Sequence, residues 1–135
     1  MTNKNLSLEE LLNIPIHDAE FFGFNSHYDE TNNVIISIDF RLNDDLFGDE
    51  DDATLELISK DRLRLECINC HIYKTIMYVH HNLDSIDELN HLQTSDLLGS
   101  VTNKINLNRL FHIEIKFHSG SKLDIIAERF SLHSE

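Results

Sequence analysis

The chain is short of cations. It has 11 Lys and Arg against 24 Asp and Glu in 135 residues, a net charge of −13. A surface like this does not bind nucleic acid through phosphate contacts, and it does not settle on an anionic membrane. Arg62, Arg64, Lys116 and Lys122 are also too dispersed to form a phosphate track. Two cysteines, Cys67 and Cys70, are too few for a disulfide framework. No run approaches the roughly 20 apolar residues that a membrane span needs. An amphipathic acidic stretch follows Met1-Thr2-Asn3-Lys4-Asn5, where a signal peptide would carry an apolar run. The expectation is a soluble cytoplasmic protein with reduced thiols. An effector exported without a cleavable leader also fits. With neither an internal repeat nor a linker, residues 1–135 read as a single domain.

Apolar residues make up 41% of the chain and are spread along it, so it should fold around a core. The acidic surplus serves solubility and permits a basic protein partner. Nine histidines would discharge much of the net charge near pH 6.

Val34 to Leu42 carries the clearest structural signal. Val34, Ile36, Ile38, Phe40 and Leu42 alternate with mostly polar residues, the period of a half-buried antiparallel strand. His17 to Tyr28 reads as its partner strand, with Gly23 marking a bulge and 29–33 supplying turn chemistry. Residues 1–5 read as loose. Ser7-Leu8-Glu9-Glu10 forms a capping box that starts a short helix near 7–13, and Pro15 ends it. Residues 43–52 read as an exposed acidic loop. Ala53 to Ile58 and Arg62 to Cys67 alternate as strands, and the apolar phase then shifts, as at a bulge or loop. Tyr73 to His81 leans towards strand. Ser85-Ile86-Asp87-Glu88, with Leu89 and Leu92, predicts a helix near 85–93. Residues 94–106 read as loop. Leu110 to His118 and Lys122 to Leu132 close the chain as two strands around Ser119-Gly120-Ser121. The fold expected is mainly β: one antiparallel sheet, curled or packed as a two-layer sandwich, with one or two short helices.

Three segments hold candidate chemistry. Cys67-Ile68-Asn69-Cys70-His71 is a CxxC followed by His, with His80-His81 further on. Zinc needs such ligands to converge, and strand positions 67 and 70 face opposite ways unless a turn intervenes. A haem attached at CxxCH would need an oxidising compartment. Buried strand cysteines are the simpler expectation. Asp44, Asp45, Asp49, Glu50, Asp51 and Asp52 lack the spacing of a calcium loop and read as a solvated segment, which also suits a landing site for a basic partner. His17 and Asp18 could form an acid–base pair, yet adjacent strand residues point to opposite faces. No nucleophile or glycine-rich anion loop accompanies them, so they read as a structural motif.

Ile16-His17-Asp18-Ala19, the aromatic strand after it, and Ile113 to Leu132 resemble small bacterial proteins of the HDA-motif type. Some of these are classed as immunity proteins of polymorphic toxin systems, the immunity protein 50 type. The acidic 43–52 segment and the Cys67–His71 segment lie outside the likeness. The resemblance implies a β-rich, non-enzymatic cytoplasmic protein that neutralises a toxin by binding it, and it carries over no catalytic residue. The function expected is therefore an acidic protein-binding module with a basic partner and no cofactor. The alternative is a metal- or small-ligand-binding protein using Cys67, Cys70, His71 and His80. A strand edge or apolar patch would also suit a homodimer.

Overall fold

The computed structural model describes residues 2–43, 51–76, 85–101 and 109–134. The elements in chain order are β1 (Thr2–Leu6), α1 (Leu8–Leu12), β2 (Glu20–Tyr28), β3 (Val34–Arg41), α2 (Asp52–Ile58), β4 (Leu63–Ile68), β5 (Ile72–Ile76), β6 (Ile86–Leu92), α3 (Asp96–Gly99), β7 (Phe111–Phe117), β8 (Lys122–Ala127) and β9 (Arg129–Ser134). They build two antiparallel sheets, ordered β1-β9-β4-β3-β2 and β5-β8-β7-β6. The expected mainly β fold is observed as this two-sheet form. Among the described residues, no helix is long and apolar enough to cross a membrane.

The core is assembled by alternation. Ile36, Ile38 and Phe40 of β3 are fully buried, as are Leu63 and Leu65 of β4. Ile113 and Ile115 of β7 and Leu123 and Ile125 of β8 join them in one apolar cluster. Gly23 has φ 146° and sits at a register shift in β2, as its place inside the strand predicts.

The two sheets are joined at two places, a corner where strands pass between them and a margin. At the corner, β4 turns into β5 through Asn69, which has φ 57°, and β8 turns into β9 at Glu128. The two bends bond each other: His71 N–H donates to the Ile126 carbonyl at 2.9 Å, and Glu128 N–H to that of Ile68 at 3.2 Å. At the margin Ile86 N–H donates to the Ala19 carbonyl at 2.9 Å, and Asp18 N–H donates back to that of Ile86 at 2.7 Å.

Several local expectations are corrected. Residues 2–6 form strand β1; their polar sequence hid it, because the strand is held by pairing with β9 at the far end of the chain. Residues 53–58 are helical, started by Asp51, whose carboxylate accepts from Thr54 N–H at 2.7 Å. Leu55 and Leu57 are two apart, yet neither is buried, so their alternation reported no sheet face. The helix expected near 85–93 is strand β6. Its register shifts between Ile86 and Glu88, so the extra residue, Asp87, brings Ile86 and Leu89 towards the same core. The bulge thus imitates a helical spacing of three. Asp96–Gly99 is a one-turn helix inside the expected loop, capped by Ser95. Lys122 to Leu132 is two strands in different sheets, which explains why both of its faces carry apolar residues. The segment 77–81 lies outside the described residues.

Two substitutions in β3 test this packing. Phe40 has no exposure, so Phe40→Ala should cost about 3–5 kcal/mol in a denaturant titration, the usual range for emptying an aromatic core site. Ser37 Oγ is buried and has no hydrogen-bond partner among the described residues. Leaving such a group unmade costs about 1–3 kcal/mol, so Ser37→Ala should hold or raise the midpoint. A clear loss in Ser37→Ala would show that the hydroxyl is satisfied.

Candidate functional site

Pro15 follows the end of α1, and the chain then makes a turn rather than entering a strand. Ala19 N–H donates to the Ile16 carbonyl at 3.0 Å. Ile16 and Ala19 are buried and anchor the turn, so His17 and Asp18 between them are exposed. Asp18 has φ 63°, a left-handed conformation that aspartate tolerates better than most residues. The expectation that His17 and Asp18 face opposite ways is therefore overturned: His17 Nε2 lies 3.4 Å from Asp18 Oδ2.

Two further segments meet this turn at the sheet margin. Asp87 occupies the bulge of β6, and its carbonyl lies 2.7 Å from His17 Nδ1. A carbonyl only accepts, so Nδ1 carries the proton and Nε2 is turned to Asp18. His118 follows β7, and its N–H donates to the Ser85 carbonyl at 3.0 Å. Its Nε2 lies 2.7 Å from Asp18 Oδ1, across a separation of 100 residues. The two rings meet edge to face, with centroids 5.6 Å apart. The carbonyl of Asp87, and then the charge of Asp18, raise the His17 pKa above its ordinary 6.5. His17, Asp18 and His118 can each offer one donor atom such that all three lie within 4.8 Å of one another.

Compared with protein-family models, curated proteins and solved structures, the chain matches none.

The other predicted residues fall elsewhere. Cys67 is buried in the core, and Cys70, also buried, donates its S–H to the Cys67 carbonyl at 3.1 Å. Burial pushes both thiols up, Cys70 to about 12, so both remain protonated at neutral pH, whereas metals bind the thiolate. His71 turns to Glu128, with Nε2 3.4 Å from Oε2. Among the described residues, these three form no metal-ligating group. His80 lies outside the described residues, as do Asp44, Asp45, Asp49 and Glu50. Asp51 caps α2, and hydrogen bonds from the Thr54 side chain and then its backbone N–H lower its pKa; Asp52 stands in the helix's first turn.

A second polar cluster escaped the sequence reading. His112 and Asp124 lie on the face of β7 and β8 opposite the core residues Ile113 and Leu123, and both are buried. His112 Nε2 lies 2.8 Å from Asp124 Oδ1, and its Nδ1 lies 2.6 Å from Ser95 Oγ. Serine, histidine and carboxylate in line can activate a nucleophile. Here Ser95 Oγ also accepts from Leu98 N–H at 2.9 Å, so the line fastens α3 to the sheet. Polar residues at alternate positions of two predicted strands were the available signal.

A proton titration read by NMR tests the electrostatics. His17 should titrate above 6.5, and His91, depressed by burial and then by His112, below it. A raised histidine pKa stabilises the fold below the unfolded value, and the contribution fades as pH rises through the raised midpoint. Exposure of His17 makes that contribution small. Equal midpoints for the two histidines would contradict the geometry.

Proposed function

We propose that the chain is an acidic, non-enzymatic binding module that captures a basic protein, in the manner of an immunity protein neutralising a toxin. The observation that carries this reading is how the few cations are used. Lys4 pairs with Glu10, Arg41 with Glu20, Arg64 with Asp39 and Arg109 with Glu128. Lys116 pairs with Glu88, and Lys122 with Glu114 and Asp124. Much of the positive charge is thus spent inside local pairs, and the surplus carboxylates dominate what remains. Such a field accelerates encounter with a basic partner and repels acidic ones.

Helix α2 is the face best suited to the contact. None of its residues is buried, and Leu55 is 52% exposed between Asp52 and Glu56. An apolar centre within a polar rim is the general layout of a protein interface. A groove of about 340 Å³ beside it is lined by Leu6, Ile14, Leu57 and Leu132, with Glu10 and Glu56 balanced by Lys4 and Lys60. The helix directly follows the acidic 44–50 segment in the chain, so the two contribute charge to one region of sequence.

The experiment is capture of a partner on the immobilised protein at low salt, then affinity measurement with that partner purified. The partner should be basic, and its association rate should fall steeply as salt rises. Leu55→Ala combined with Glu56→Lys should weaken binding at least about tenfold while the melting temperature holds, since both side chains are exposed and the packing of α2 falls to Leu57 and Ile58. An acidic partner, or an affinity indifferent to both salt and these substitutions, would defeat the proposal.

A further inference from the structure

The cluster at the sheet margin has the composition and the support of a metal site. Two imidazoles and one carboxylate supply donors of the kind that borderline divalent ions prefer, whereas calcium and magnesium favour oxygen throughout. Ligands about 2.0–2.1 Å from a tetrahedral ion stand roughly 3.4 Å from each other. His17 Nε2 and Asp18 Oδ2 are 3.4 Å apart. His118 Nε2 and Asp18 Oδ1 are closer, at 2.7 Å, because a proton joins them. An ion would take that proton's place and widen the pair.

The surroundings are arranged as they are around metal-bound histidines. Such a ring usually gives its second N–H to a carbonyl or carboxylate, which fixes the tautomer and turns the other nitrogen to the ion. His17 Nδ1 is held by the Asp87 carbonyl at 2.7 Å. The Asp87 carboxylate lies 3.6 Å from His17 Nδ1 and 3.9 Å from His118 Nδ1. The free Nε2 of His17 is thus fixed by backbone, and Asp87 stands behind both rings. Asp18 is held in its left-handed turn by its own N–H bond to the Ile86 carbonyl.

We propose that His17, Asp18 and His118 bind a divalent transition-metal ion of the zinc class, with Asp87 supporting both histidines. The site is open to solvent, so water completes the coordination of three protein ligands. The ion would tie together the turn before β2 and the end of β7, with the bulge of β6 behind them. Binding therefore stabilises the folded chain by linkage. This site is separate from the partner-binding face on α2, and either proposal can fail alone.

The test uses the full chain purified without a histidine tag, stripped with chelator and dialysed. Calorimetric titration with zinc chloride should show one equivalent bound with a Kd below about 10 μM, and the melting temperature should rise. His17→Ala and His118→Ala should each weaken zinc at least about tenfold. Both side chains are substantially exposed, so neither substitution opens the core. Ring-proton NMR should show His17 and His118 perturbed by zinc. Weaker binding by the unaltered chain, or a His17→Ala/His118→Ala variant that binds zinc as tightly as it does, overturns the assignment.

Discussion

Two sheets packed face to face still have margins, and unpaired backbone N–H and C=O groups there must find partners. In this protein one pair of margins, at β2 and β6, closes on itself, and another junction is made where strands pass from one sheet to the other. At that junction, β4 and β9 each bend and continue into the opposite sheet as β5 and β8, and the two bends exchange hydrogen bonds through Ile68, His71, Ile126 and Glu128. At the margin Ala19 and Ile86 pair, with Asp18 and His118 bonded to the same short stretch. The core positions of β3, β4, β7 and β8 depend on these seams, because the seams set how the two inner faces meet.

The second seam also explains where the exposed polar cluster comes from. Burying Ile16 and Ala19 leaves a turn whose middle residues have nowhere to go but outward. The bulge at Asp87 and the tight turn after His118 reach the same margin from the other sheet. The arrangement of His17, Asp18, Asp87 and His118 is therefore a product of closing the sandwich. The line from Ser95 to the buried His112 and Asp124 has a related origin: α3 needs a cap, and the polar outer face of β7 and β8 provides its support.

Most of the sheet was legible where alternation is uninterrupted. Val34 to Arg41 and Phe111 to Phe117 are strands whose apolar sides face the core, but they are not half-buried as expected: Ile35, Ser37, His112 and Glu114 on the opposite faces are buried as well. Legibility failed where geometry breaks the period. The bulge at Asp87 turned a strand into an apparent helix, and the bend at Glu128 merged two strands into one with two apolar faces. β1 has almost no apolar content, and its pairing with β9 is invisible to any local window. The capping box at Ser7 was readable because it is made by neighbours three apart. The candidate site was half legible: His17 and Asp18 stood out as a pair. Their left-handed turn, and a third partner 100 residues away, left no signature in the local sequence.

The closed core and the histidine–aspartate cluster both require the second seam to be rigid. Backbone amide hydrogen exchange reads that directly. The amides of Asp18, Ile86 and His118 are predicted to exchange nearly as slowly as those at the centres of β3 and β7. Exchange at those three positions as fast as in the exposed 29–33 turn, with β3 and β7 still protected, would contradict it.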